Sequence, residues 1–168
     1  MATLSIAPVG TAMLGDAFRC VIANPIGSVT SGAAILNVLS GFQPWSEVKF
    51  SAGELLDDNV SGPNADPDHD GLANLVEYAL GLEPKTADQT GLPTVSVQGS
   101  DWVYTYTRPS DRADLTYEVE LSTNLTGWST SGVAHELVST SGGTETWRAK
   151  YPVGSAANCY FRLKITQP

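Results

Sequence analysis

Asp66-Pro67-Asp68-His69-Asp70-Gly71-Leu72-Ala73-Asn74-Leu75-Val76-Glu77 is a twelve-residue run with carboxylates at its first, third, fifth and twelfth positions, a glycine at the sixth and a side-chain amide at the ninth. Two carboxylates ~5 Å apart repel by roughly 3 kcal/mol at an effective dielectric near 20, less where water reaches them. Four acids crowded into one turn therefore call for a cation among them. The surrounding sequence supplies none. From residue 50 to 84 there are eight acidic side chains, Glu54, Asp57, Asp58, Asp66, Asp68, Asp70, Glu77 and Glu83, and no Lys or Arg, which accounts for eight of the nine excess negative charges of the whole chain. The acidity belongs to one site, not to a general acidic coat.

The spacing is that of an EF-hand-type calcium loop. Such an ion takes six to eight oxygens at roughly 2.3–2.6 Å. Asp66, Asp68 and Asp70 supply alternate carboxylates, Gly71 permits the bend, and Leu72 offers its main-chain carbonyl. Asn74 reaches the ion directly or through water, and Glu77 closes the shell with both oxygens. His69 falls at the fourth position, which points outward in loops of this kind. A catalytic role, with His69 or a loop carboxylate such as Asp68 as the base, is the weaker reading.

Working outward, Leu72, Leu75, Val76, Ala79 and Leu80 recur at helical spacing and predict an exit helix starting near Leu72 with one apolar face. Gly81 is placed to end it and Pro84 to prevent its resumption. On the entry side Pro63 and Pro67 break any long helix, so the motif is half of an EF-hand, nearer to dockerin or thrombospondin type 3 calcium loops. Residues 40–45 read as a linker, Trp45–Phe50 as a helical turn or two, and Ser51-Ala-Gly-Glu54 as a capping box opening a second short helix. Asp57 and Asp58 are read as ending that helix rather than as ligands.

On either side the chain reads as β. Residues 2–9, Phe18–Asn24 and Ala33–Val38 alternate apolar and polar residues, with Asn24-Pro25-Ile26-Gly27 as a turn. After the loop, six strands are expected at Pro93–Val97, Trp102–Thr107, Thr116–Leu121, His135–Ser139, Thr144–Tyr151 and Cys159–Thr166, and their regular spacing suggests a sandwich. The predicted fold is mainly β. It consists of partial immunoglobulin-like strands over 1–39, a helical calcium-binding segment over 40–91, and a C-terminal β-sandwich over 92–168.

Three stretches resemble known families. Leu4-Ser-Ile6 with Gly15-Asp-Ala-Phe18, Cys20, Ile22, Asn24, Gly27, Val29, Ser31, Ala34, Leu36 and Val38 looks like the last three strands of a bacterial immunoglobulin-like repeat. It lacks the strand whose cysteine would pair with Cys20, and Phe18 stands where the family has its corner tyrosine. Val60 to Pro84 resembles a segment near the C-termini of large exported proteins of environmental bacteria. Tyr117-Glu-Val-Glu-Leu-Ser-Thr-Asn124 with Trp128, and Tyr160-Phe-Arg-Leu-Lys-Ile165, resemble the β domain that follows it there. The resemblance implies a C-terminal piece of a longer protein, secreted or at the cell surface.

Composition narrows the rest. There is no basic stripe to neutralise phosphates, so nucleic acid is an unsuitable partner. No run of eighteen apolar residues exists to span a membrane. The opening Met-Ala-Thr-Leu-Ser-Ile has neither the charged start nor the apolar core of a signal peptide, so the export signal lies on a longer parent or the chain is cytosolic as made. Cys20 and Cys159 permit a single bridge at most. Three isolated strands expose an apolar face and open edges, to be covered by the rest of this chain or by a second copy in a homodimer.

Three functions fit. The first is a calcium-stabilised structural, adhesion or display module, with a cell-surface or polysaccharide ligand. The second is a calcium-dependent hydrolase of activated phosphoesters or esters, using an open metal position. The third is a carbohydrate-binding module built on Trp45, Trp102, Trp128 and Trp147.

Overall fold

The computed structural model describes Met13 and residues 15–36, 41–154 and 158–167. The chain is mainly β with three short helices, as its alternation predicts. It divides into two compact units, Met1–Ser40 and Gly41–Pro168.

The first unit carries four short strands, β1 (Ala17–Phe18), β2 (Val21–Asn24), β3 (Gly27–Thr30) and β4 (Ala34–Ile35). β2 pairs with β3 and β1 with β4, both antiparallel, so the chain runs out and back as one interrupted hairpin. At its tip the Asn24 carboxamide accepts from the main-chain N–H of Ile26 and Gly27, the Asx turn that the Asn-Pro-Ile-Gly sequence favours. The strand predicted across Phe18–Asn24 is broken at Arg19-Cys20. There Ser31 exchanges main-chain and side-chain hydrogen bonds with Cys20 and interrupts the ladder. The return strand accordingly begins at Gly27 and not at Ala33. The strand predicted at residues 2–9 lies outside the described residues. Ile22, Ile26, Val29 and Ile35 are all exposed, and both cysteines are free thiols.

The second unit opens with α1 (Phe42–Lys49), a 3-10 turn (Glu54–Leu56), α2 (Asp58–Ser61) and α3 (Asn74–Leu80). α1 starts three residues before the predicted helix because Pro44 falls in its first turn, where a missing N–H costs nothing. The capping box forms as read: Glu54 accepts from the Ser51 N–H at 2.7 Å and the Ser51 hydroxyl faces the Glu54 N–H at 3.4 Å. Asp57 ends the 3-10 turn through its N–H and, in addition, caps α2 by accepting from the Asn59 N–H at 2.9 Å.

Six strands follow: β5 (Thr94–Gln98), β6 (Asp101–Pro109), β7 (Thr116–Ser122), β8 (Ala134–Ser141), β9 (Thr144–Pro152) and β10 (Tyr160–Thr166). Four of them make an antiparallel sheet in the order β5-β6-β9-β8, and β7 pairs with β10 in a second. Strict alternation places Tyr117, Val119 and Leu121 of β7, and Phe161, Leu163 and Ile165 of β10, toward the interior. Their outward neighbours pair across the ladder, Glu120 with Arg162 and Glu118 with Lys164. The two sheets share one core, in which Tyr104 stacks on Phe161 and Tyr106 on Tyr117.

α3 joins this core to a second one. Leu80 is buried with Tyr104, Tyr106, Val119 and Ala149, whereas Tyr78 and Ala79 are buried with Phe42 and Leu115. The helix begins two residues later than the apolar stripe suggests, with Ala73 as its N-cap in extended conformation. Gly81 ends it at φ 78°, and a Cβ there would lie 2.9 Å from Cγ of Pro109. Both the left-handed turn and the close approach to β6 thus require glycine.

Candidate metal centre

The loop between α2 and α3 folds around its own carboxylates. Gly71 takes φ 92° and lets the Asp66 carboxylate accept from its N–H at 3.0 Å. Asp68 accepts from the Asp70 N–H at 3.3 Å and Asp70 from the Leu72 N–H at 2.8 Å. These bonds occupy one oxygen of each aspartate and leave Asp66 Oδ1 and Asp68 Oδ2 buried without a partner among the described residues. One oxygen from each of Asp66, Asp68 and Asp70 lies within 4.8 Å of the other two, a spacing three ligands of one ion can adopt.

Glu77 projects from the first turn of α3 and is 1% exposed, with Oε2 unpartnered. Four buried side-chain oxygens of this loop have no hydrogen-bond partner among the described residues: Asp66 Oδ1, Asp68 Oδ2, Asn74 Oδ1 and Glu77 Oε2. Leaving one such atom unsatisfied costs about 1–3 kcal/mol, more for a charged group. Burial, and after it the charges of Asp68, Asp70, Asp66 and Glu83, push the Glu77 carboxyl up to about 7. A divalent cation at this centre reverses each of these effects.

No Lys or Arg of Gly41–Pro168 is free to do so. Within Gly41–Pro168 every Lys and Arg is paired with an acid outside the loop. The two that flank the acidic window take Glu83 (Lys49) and Glu54 (Lys85). The remainder, Arg108, Arg112, Arg148, Lys150, Arg162 and Lys164, take Glu145, Asp111, Glu136, Glu120 and Glu118. The arrangement offers a cluster of oxygens whose negative charge no Lys or Arg of Gly41–Pro168 answers, which is the chemistry that suits a hard divalent ion.

The predicted ligands converge to different degrees. Asp66, Asp68 and Asp70 share the centre, and Glu77 lies outside that trio but near enough that, after burial, their charges raise its pKa. Asn74 is fully buried, and Leu72 is half-buried with a carbonyl that accepts no hydrogen bond from the described residues. His69 is exposed, at φ 61°, and no hydrogen bond among the described residues joins it to a hydroxyl or carboxylate. His135 lies on β8 with Nε2 3.0 Å from the Tyr106 hydroxyl and its ring against Trp147; burial, then Arg108, lowers its pKa. Of the tryptophans, Trp45 packs among Phe42, Phe50 and Tyr78, Trp128 lies under Arg162, and Trp147 lies under Arg108.

Three supports of the site were not foreseen from the sequence. The segment after α3 folds back, so that the Asp88 N–H and the Gln89 amide donate to the Asp70 side chain and carbonyl at 3.3 and 3.0 Å. Arg112 and Tyr117 donate to the Tyr78 and Ala79 carbonyls, which closes the C-terminal end of α3. The Tyr78 hydroxyl donates to Asp114 at 2.7 Å. None has a local signature, because each partner is more than fifteen residues away. No protein-family model, no curated protein and no solved structure matches this chain. No helix among the described residues is long and apolar enough to cross a membrane.

Proposed function

We propose that residues 66–77 hold one calcium ion, and that the chain is a calcium-stabilised, non-catalytic module from the C-terminal end of an exported bacterial protein, serving structure, adhesion or display. The observation that carries the reading is the Glu77 carboxylate, 1% exposed and close enough to three clustered aspartates that, after burial, their charges raise its pKa, in a unit whose Lys and Arg are all engaged elsewhere. Asp66, Asp68, Asp70, the Leu72 carbonyl, Asn74 and Glu77 would be its ligands. Magnesium fits less well, since it keeps several waters and demands a stricter octahedron than a loop crowded with protein oxygens provides. The ion's work is to bind the loop to the first turn of α3, and so to hold the helical segment on the β sheets. The export part of the reading rests on the resemblance of Val60–Pro84 to segments of exported bacterial proteins.

Calcium titration into the metal-stripped chain tests it, followed by calorimetry and by melting. With free calcium a hundredfold above the dissociation constant, linkage adds about 2.7 kcal/mol of stability. The expected result is a melting temperature that climbs with calcium, an increment lost in Asp68→Ala, and no turnover of chromogenic esters or phosphoesters. Absence of both heat and stabilisation at millimolar calcium would refute the proposal. Turnover abolished by a chelator would replace it with the hydrolase.

A further inference from the structure

We infer that Asn74 is the positioning residue of the loop: its amide clasps the chain that enters the site, and a carboxylate cannot take its place. The inference rests on the calcium reading above and adds to it. Asn74 is fully buried at the first position of α3, and both side-chain N–H groups are used, one on the Val60 carbonyl at 2.9 Å and one on the Gly62 carbonyl at 2.8 Å. Two carbonyl acceptors leave only one way to orient the amide, with nitrogen toward α2 and oxygen away from it. That oxygen is buried and has no partner among the described residues.

The main chain repeats the clasp. The Asn74 N–H donates to the Ala65 carbonyl at 2.8 Å and the Leu75 N–H to the Pro63 carbonyl at 2.9 Å. Residues 60–65 are thus bound to the start of α3 by four hydrogen bonds. This clasp closes the loop where Pro63 and Pro67 rule out a long entering helix. One amide therefore serves two sides, holding the entrance with nitrogen and leaving oxygen for the ion or its water.

Two expectations for Asn74→Asp then oppose one another. By charge alone, a further carboxylate tightens calcium binding. By the clasp, it removes both donors, sets an anion against two carbonyls, and opens the entrance. The clasp predicts that Asn74→Asp binds calcium at least tenfold more weakly than the natural chain and melts lower in chelator. Asn74→Ala, which carries no added charge and serves if the first variant does not fold, loses a similar factor. The lifetime of bound terbium luminescence in light and heavy water then reports an extra water on the ion in Asn74→Ala. Calcium binding by Asn74→Asp as tight as or tighter than that of the natural chain overturns the inference. So does equal melting loss with and without calcium at an unchanged dissociation constant. A natural chain that binds no calcium sinks the calcium reading instead, while melting in chelator still tests the clasp.

Discussion

Glu77→Gln separates a metal ligand from an ordinary buried acid, because it moves two measurable quantities in opposite directions. The carboxylate is 1% exposed beside Asp66, Asp68 and Asp70, and burial followed by those charges raises its pKa from 4.5 to about 7. Its folded value thus lies above its unfolded one. The stability associated with it is full below pH 4.5 and is lost as the pH rises through about 7. At pH 8 in chelator, carrying the charge costs on the order of 3 kcal/mol. Glutamine keeps the shape, removes the charge, and offers an N–H₂ to the neighbouring carboxylates. The metal-free protein should then melt higher, by roughly 5–10 °C at about 3 °C per kcal/mol for a chain of this size. The calcium-induced increment should shrink at the same time, by about 2.7 kcal/mol for each hundredfold loss of affinity. Scanning calorimetry of both proteins in chelator and in calcium reads both numbers. In chelator, the natural chain should also melt lower at pH 8 than at pH 5.5, and the variant should flatten that slope. A variant that melts lower in chelator, or that keeps the full calcium increment, refutes the reasoning.

Tyr78→Phe removes the hydroxyl that meets Asp114 and leaves that carboxylate without its 2.7 Å donor; a loss of about 1–3 kcal/mol is expected, equal with and without calcium, by chemical denaturation. Gly81→Ala forces a Cβ against Pro109 at φ 78°, so a destabilisation of at least about 1 kcal/mol is expected from the same measurement, with calcium affinity changed less than by any loop variant. Lys85 is the nearest trypsin site to the loop and begins the segment that Asp88 and Gln89 fasten to Asp70. Cleavage after Lys85, followed by mass spectrometry, should be slower in calcium than in chelator, and equal rates would show that the strap ignores the ion.

The loop was legible because its chemistry is local. Carboxylates at alternate positions, a glycine where the chain must bend and a glutamate one helical turn on are all visible within twelve residues. The strands of the second unit were legible because one face of each is buried, which leaves an alternating record such as Tyr117, Val119, Leu121 against Glu118, Glu120. What could not be read is what depends on distant partners. The break in the first hairpin comes from Ser31 meeting Cys20, eleven residues away. Asn74 was read as a ligand from its place in the spacing, and nothing in that spacing reveals that its nitrogen is engaged by Val60 and Gly62. Residues 40–45 read as a linker, and α1 nevertheless begins at Phe42, because a proline in the first turn of a helix lacks only an N–H that has no partner there.

α3 explains why loop and sheets stand or fall together. Seven residues are too few for a helix to persist alone in water, since nucleation is costly and few bonds repay it. Both ends of α3 are therefore secured from outside. At the C-terminal end Arg112 and Tyr117 satisfy the Tyr78 and Ala79 carbonyls, Gly81 and Leu82 satisfy that of Glu77, and Arg112 lies 4.2 Å over the Tyr78 ring. At the other end the clasp of Asn74 holds the entering chain, but the same turn carries Glu77 into a nest of like charge. Tyr78 and Leu80 draw the helix onto two cores while Glu77 drives its first turn apart. Under the calcium proposal a divalent ion would convert that one repulsive contact into the bond joining loop to helix, so its effect on stability should be felt across the whole of Gly41–Pro168.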